Sequence, residues 1–175
     1  MSHLYWHRGK GETLFILGRF EEALYSFEKT LEIDSDFAEA WSYKGMTQGS
    51  LGKYEETIVA FKKAIEIDPN NPTIWFRKGL ALRGLGRNEE AVAAYDSGLK
   101  LIPDDSRYSF IWQEKGNALM ALDRIEEAIM AYDSALVLEP DNANAWFDKG
   151  VALEELGRVD EAIDAISKVL ELDPD

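Results

Sequence analysis

WSYKGMTQGSLGKYEETIVAFKKAIEIDP, residues 41–69, holds one full copy of a pattern that runs through the chain. Trp41 is followed by Gly45, by the pair Leu51-Gly52, by the acids Glu55 and Glu56, by Phe61, and by a closing Pro69. The same frame returns at Trp75, Trp112 and Trp146, spaced by 34, 37 and 34 residues, each with a glycine four residues on: Gly79, Gly116 and Gly150. Leu85-Gly86, Leu122-Asp123 and Leu156-Gly157 repeat the mid-unit pair, and Pro103, Pro140 and Pro174 repeat the closing proline. Carried backwards, the frame gives a first unit with Gly11, Leu17-Gly18, Ala23 and Phe27. There His7 holds the tryptophan position, Trp6 sits one residue earlier, and Ser35 replaces the proline. The units are 4–37, 38–71, 72–105, 109–142 and 143–175, with residues 106–108 as an insertion, inside one domain spanning 1–175. A fixed period of this length is the mark of a stacked repeat.

Each unit reads as two helices. The first carries apolar or small residues at helical spacing, as at Trp41, Gly45 and Leu51, and stops at Leu-Gly. Glycine enters the left-handed conformation that ends a helix without a Cβ clash, and Asp123 takes that place once. The second helix opens on carboxylates, as in Phe20–Leu24 and Tyr54–Ile58, which suit the positive end of the helix dipole. Prolines then bar its continuation. Gly45, Gly79, Gly116 and Gly150 fall in mid-helix, where glycine costs about 0.5–1 kcal/mol relative to alanine. Repeated at these four positions, that cost implies close helix approach, with Ala64, Gly98 and Ala135 as small partners. One hairpin cannot bury both of its faces, so successive units must stack.

The pattern W-x2-K-G, then A-x3-F or A-x3-Y, then P, resembles the tetratricopeptide repeat family over essentially the whole chain. The resemblance implies an all-α fold: a right-handed superhelical solenoid of antiparallel helix pairs that binds other proteins and carries no chemistry of its own. Departures are local. Thr57 takes the small position held by Ala23, Ala91, Ala128 and Ala162, and Gln48 replaces a large apolar residue. Lysine fills the usual leucine position in every unit, at Lys10, Lys44, Lys78, Lys115 and Lys149. These stems are expected to snorkel over apolar surface and pair with Asp34, Asp68, Glu139 and Asp173, although a ladder gripping an acidic ligand is the other reading.

Composition narrows the function. A net charge of −14, from 33 acids against 19 bases, argues against nucleic acid, which needs clustered Lys and Arg. No apolar run is long enough to span a membrane and no secretory signal opens the chain, so a cytoplasmic protein is expected. There is no cysteine. His3 and His7 have i, i+4 spacing but no third ligand in register, so no metal is expected. Gly9-Lys10-Gly11-Glu12-Thr13 lacks the leading glycine of a phosphate loop, and no cofactor or catalytic constellation is marked. The chain is expected not to be an enzyme.

The resemblance further implies that first helices line a concave groove. Its register gives Tyr5, Arg8, Glu12 and Phe15; Glu39, Ser42, Met46 and Gly49; Thr73, Phe76, Leu80 and Arg83; Phe110, Gln113, Asn117 and Met120; and Asn144, Phe147, Val151 and Glu154. The expected peptide contacts are Arg8, Glu12, Met46, Phe76, Arg77, Leu80, Arg83, Asn117, Met120, Phe147 and Val151, with the two pairs Phe76/Leu80 and Phe147/Val151 as apolar anchors. A chaperone-type clamp on a C-terminal carboxylate is not supported, because its positions read Arg8, Glu12, Tyr43, Thr73 and Arg77. The asparagine ladder of sugar-transferase superhelices also fails, reading Gly9, Tyr43, Arg77, Glu114 and Asp148. The leading expectation is a scaffold for a peptide or partner protein. The alternative is end-to-end self-association, because the last helix is apolar on more than one side and no capping helix follows it; Ile166 and Val169 are the residues expected to be covered, by another molecule or by the rest of a longer protein.

Overall fold

The structure, a computed structural model, describes residues 2–102 and 106–173. Among them are ten α-helices and no strand. They are α1 (Ser2–Ile16), α2 (Phe20–Ile33), α3 (Ala38–Ser50), α4 (Tyr54–Ile67), α5 (Pro72–Gly84), α6 (Asn88–Leu99), α7 (Ser109–Met120), α8 (Ile125–Leu138), α9 (Ala143–Glu155) and α10 (Val159–Leu172). The inserted residues form a single 3-10 turn, Ser106–Tyr108. Pro103 and Pro174, expected to close units, lie outside the described residues.

Helix ends fall where the Leu-Gly pairs put them, and backbone geometry gives the reason. Gly18, Gly52, Gly86 and Gly157 have φ of 72°, 72°, 73° and 71°, and Asp123 has 59°. At Gly52 the chain closes with Gly52 N–H donating to Gly49 C=O (3.0 Å) and Lys53 N–H to Gln48 C=O (2.9 Å), which satisfies the last free carbonyls of α3. Asp123 reproduces this pairing with Met120 and Leu119, so an aspartate performs the glycine's task. At the other end, Asn71 and Asn142 cap α5 and α9 by accepting from Thr73 N–H and Ala145 N–H. Arg19, Arg124 and Arg158, each just before a second helix, fork onto Glu22, Glu127 and Glu161 of its first turn.

The chain divides into two compact units, Met1–Arg87 and Asn88–Asp175. In the first, α1/α2 and α3/α4 are hairpins, α2 packs on α3, α4 packs on α5, and the first helices α1, α3 and α5 are neighbours in turn. In the second, α7/α8 and α9/α10 are hairpins, α6 packs on α7, α8 on α9, and α7 lies beside α9. Mid-helix glycines seat the large residues of the facing helix. Gly11 faces Phe27, Gly45 faces Phe61, Gly116 faces Tyr132 and Gly150 faces Ile166.

Three lysines of the column are pinned, though not by the acids expected. Lys44, Lys115 and Lys149 pair with Glu28 (3.2 Å), Asp96 (2.6 Å) and Asp133 (2.6 Å), which lie on the second helix of the preceding repeat. Each ammonium also rides over the tryptophan of its own helix, about 5 Å from the centroid of Trp41, Trp112 or Trp146. Trp41, Trp75 and Trp146 donate Nε1–H to the carbonyls of Ser35, Pro69 and Pro140, tying helix to preceding loop. Glu139, one of the expected lysine partners, accepts instead from Ser109 and Asn142.

Gln48 breaks a column. Its counterparts Leu14, Leu82, Leu119 and Leu153 are buried, and so is Gln48, whose Oε1 lacks a hydrogen-bond partner. Gln48→Leu is expected to raise stability by about 1 kcal/mol or more, since it removes an unsatisfied buried carbonyl and restores the apolar column. A urea titration in which Gln48→Leu is less stable than the parent would contradict this.

Candidate functional site

In the first unit, the exposed side of α1, α3 and α5 carries a cluster of charges with an apolar cleft beside it. Arg8 extends from α1 to α3, where Nη1 donates to Glu39 Oε2 at 2.9 Å, while its Nε lies 3.3 Å from Glu12 Oε1 one turn along α1. Arg77 of α5 lies flat on Tyr43 of α3, its guanidinium carbon 3.9 Å from the ring centroid, and reaches Ser42 Oγ at 3.5 Å. Tyr43 stacks on Phe27 behind it, with ring centroids 5.3 Å apart and planes inclined by 10°. Burial pushes the Tyr43 phenol above its ordinary pKa, Arg77 and Arg8 oppose that, and Glu12 and Glu39 add to it. Arg77 lies against this ring, and Arg8, Glu12 and Glu39 act on its phenol electrostatically.

The C-terminal halves of the same three helices enclose a cleft of about 270 Å³, lined by Phe15, Met46, Gly49, Ser50, Leu80, Ala81, Gly84 and Leu85. Its space comes from sequence. Gly49, Ser50 and Gly84 leave room where larger residues would fill the gap, and Met46 and Leu80 form half-buried walls. Apolar lining with few polar groups is the character of a site for an apolar side chain. Methionine adds an adaptable wall.

Of the expected contact residues, Met46 and Leu80 meet in this cleft. Arg8, Glu12 and Arg77 lie in the charged cluster, and Arg83 is exposed on α5. Phe76 does not belong with them. It is 3% exposed, an interior residue, so the expected Phe76/Leu80 anchor reduces to Leu80. Phe15 and Leu85 were not among the expected contacts. Phe15 stands in the groove register, and this signal points to it; Leu85 was read only as a helix-end residue.

In the second unit, Phe110 and Phe147 are exposed on α7 and α9, at 45% and 52%. Val151 and Met120 are half-buried. Asn117 is engaged from within, accepting from the Tyr132 hydroxyl at 2.8 Å. Gln113 of α7 donates to Asp148 of α9 at 2.6 Å and accepts from Asn142 at 3.5 Å, tying the two first helices together. Tyr132 is buried, and its phenol is pushed up first by burial and then by Asp148, Glu114 and Glu155.

His7 packs edge-on against Trp6, with ring centroids 4.8 Å apart. Among the described residues no three His, Cys, Asp or Glu side chains gather as metal ligands, and no helix is long and apolar enough to cross a membrane.

Family models described as Tetratricopeptide repeat match residues 38–71, 60–93 and 114–175. No curated protein matches the sequence. Among solved structures, MamA of Desulfovibrio magneticus RS-1 is similar over 99% of this chain and 97% of its own, with 21% identity and a TM-score of 0.84. PilF of Pseudomonas aeruginosa is similar over 97% of this chain and 76% of its own, with 16% identity and a TM-score of 0.85. YrrB, described as a TPR protein with an unusual peptide-binding site, is similar over 97% of this chain and 86% of its own, with 22% identity and a TM-score of 0.75. Identities this low establish a common fold.

Proposed function

We propose that this chain, which belongs to the tetratricopeptide repeat family, is a scaffold that binds a peptide segment of a partner protein on the first-helix face of its first unit. The observation that carries the reading is the cleft between α1, α3 and α5, open to solvent and lined by Phe15, Met46 and Leu80. An apolar side chain of the ligand enters the cleft. The Arg8, Glu12, Glu39 and Arg77 cluster beside it offers polar edges to the peptide backbone and flanking charges. Full burial of one such side chain supplies about 1.5–3 kcal/mol, and ordering an extended peptide offsets part of it, so affinity near the micromolar range is expected.

The test is substitution at the cleft. Leu80→Glu places a charge in an apolar wall and is expected to weaken a verified peptide ligand by at least about tenfold, the equivalent of about 1.4 kcal/mol. Val59→Glu, on the exposed side of α4, is the control and should change nothing. Unchanged affinity in Leu80→Glu with the fold intact overturns the assignment.

A second reading, self-association through α10, is favoured by one observation. Ile129 and Leu136 of α8 are 6% and 7% exposed, whereas their counterparts Ile163 and Leu170 of α10 are 58% and 65% exposed. The expectation named Ile166 and Val169, but both are half-buried, and Ile166 already fills the space beside Gly150. The open pair is Ile163 and Leu170. If a second molecule covers it, mass measured by sedimentation rises with concentration, and Ile163→Lys with Leu170→Glu abolishes the rise. A parent chain that stays monomeric across the range removes this reading.

A further inference from the structure

The first helices α3, α5, α7 and α9 each lie against the second helix of the preceding repeat, and they meet it with one stripe. Ile74 of α5 shares a buried cluster with Ala64 of α4, and Ala145 of α9 shares one with Ala135 and Leu136 of α8. Ala40 and Ile111 hold the same place on α3 and α7, and all four are 0% exposed. Thr47, Ala118 and Ala152 follow seven residues later, on the same side of the helix, and are equally buried. Between the two levels stand Lys44, Lys115 and Lys149, met by Glu28, Asp96 and Asp133 of the preceding second helix.

On α1 the corresponding stripe is Trp6, Lys10, Thr13 and Leu17, and it is open. Trp6 is 58% exposed and Leu17 64%, and Lys10 and Thr13 are exposed with them. A cleft of about 480 Å³ runs along the stripe, with Gly9 and Leu14 in its walls. The Lys10 ammonium lies over Trp6, 5.1 Å from the centroid, but pairs with no acid among the described residues. So α1 presents one half of a junction whose other half recurs along the chain. That other half has a pattern. Glu28, Asp96 and Asp133 each have Leu24, Val92 or Ile129 four residues before them and Leu31, Leu99 or Leu136 three residues after.

We infer that the α1 face docks an amphipathic helix of a partner protein that carries this pattern: an apolar residue, an acid four residues on, and a second apolar residue three further. The acid pairs with Lys10, and the apolar pair covers Trp6, Thr13 and Leu17. A second copy of this chain is a poor occupant. Its open α10 has Ile163 and Leu170 in place, but Ser167 stands where the acid belongs. In register, the internal junctions set Thr30 against Ala40, Ala64 against Ile74, Gly98 against Ile111 and Ala135 against Ala145, so one side is always alanine or glycine. Docking α10 on α1 would set Val169 against Trp6, with both sides large.

The probe is a labelled synthetic peptide of the α8 sequence, IEEAIMAYDSALVL, held helical by a staple between positions 126 and 130, which are exposed on α8. Fluorescence anisotropy should show saturable binding to the parent chain. Lys10→Glu should weaken it by at least about tenfold, and so should Asp133→Lys in the peptide. The two changes together should restore affinity to within about threefold of the parent pair. Trp6→Ala should also weaken binding. Both side chains are exposed on α1, and circular dichroism checks that the helices are kept. Leu80→Glu should leave the peptide bound, which separates this face from the cleft of α1, α3 and α5. Absence of saturable binding, indifference to both charge reversals, or a swapped pair as weak as either single change overturns the proposal. Loss of binding in Leu80→Glu overturns it by placing the peptide in the cleft. A parent chain whose mass rises with concentration, with the rise abolished by Lys10→Glu, overturns it in favour of a second copy.

Discussion

Phe61→Ala is expected to destabilise the first unit by about 3–5 kcal/mol, the largest single effect in the chain. The ring is fully buried on α4 with Ala38, Ala64 and Ile74, and Trp41, Met46, Ile65, Ile67 and Ala81 pack around that cluster. It also sits where a Cβ on Gly45 would come within 3.0 Å of it. Three helices of fixed geometry enclose the space, so truncation leaves a void that neighbours cannot refill. The consequence reaches function, because Met46 and Ala81 line the cleft as well as packing on this cluster. Urea titration should show the loss of stability, and the peptide affinity of the surviving folded fraction should drop with it. Tyr54→Ala, a half-exposed ring at the start of α4, is the comparison and should cost less than about 1 kcal/mol. Similar losses in the two variants would contradict the packing account.

Gly116→Ala should destabilise the second unit by about 1–3 kcal/mol, even though alanine is the better helix former by about 1 kcal/mol. An added methyl would come 2.7 Å from Tyr132 Cδ1 and 2.8 Å from Cζ, with Cε1 nearer still. Tyr132 cannot give way, since its ring is buried and Asn117 holds its hydroxyl at 2.8 Å. Gly150→Ala offers the contrast. There the nearest atoms are Cδ1 and Cγ1 of Ile166, 2.8 and 3.0 Å away, the flexible end of a half-buried side chain. Ile166 can turn aside, and the change should lie within about 1 kcal/mol of neutral. Thermal unfolding of the two variants side by side decides the matter. Stabilisation by Gly116→Ala would mean that Tyr132 is not fixed.

The helical hairpins were legible because their stop signals are local. A left-handed residue at Gly18, Gly52, Gly86, Asp123 and Gly157 ends each first helix whatever its surroundings. The Trp and Gly columns were legible as packing for the same reason: spacing alone puts them on one stripe. Phe76 was not. The register argument treats a first helix as having one packed stripe, but α3 is touched by α1, α2, α4 and α5, so buried arcs are wider than a single stripe. In α5 that arc takes in Ile74, Phe76, Gly79 and Leu82. The partners of Lys44, Lys115 and Lys149 were missed because they depend on the rise between stacked helices, which brings these ammonium groups to the preceding second helix and away from the loop.

The central claim is that the cleft of α1, α3 and α5 is a peptide site, and methyl NMR tests it most directly. A peptide selected against the chain from a random display library is titrated into protein labelled at methionine and leucine methyls. The account predicts that the Met46 and Leu80 signals shift with the binding isotherm, and that a control methyl on an outer second-helix face, Met130, stays in place. Saturable binding that leaves Met46 and Leu80 unmoved while shifting Met130 would contradict it.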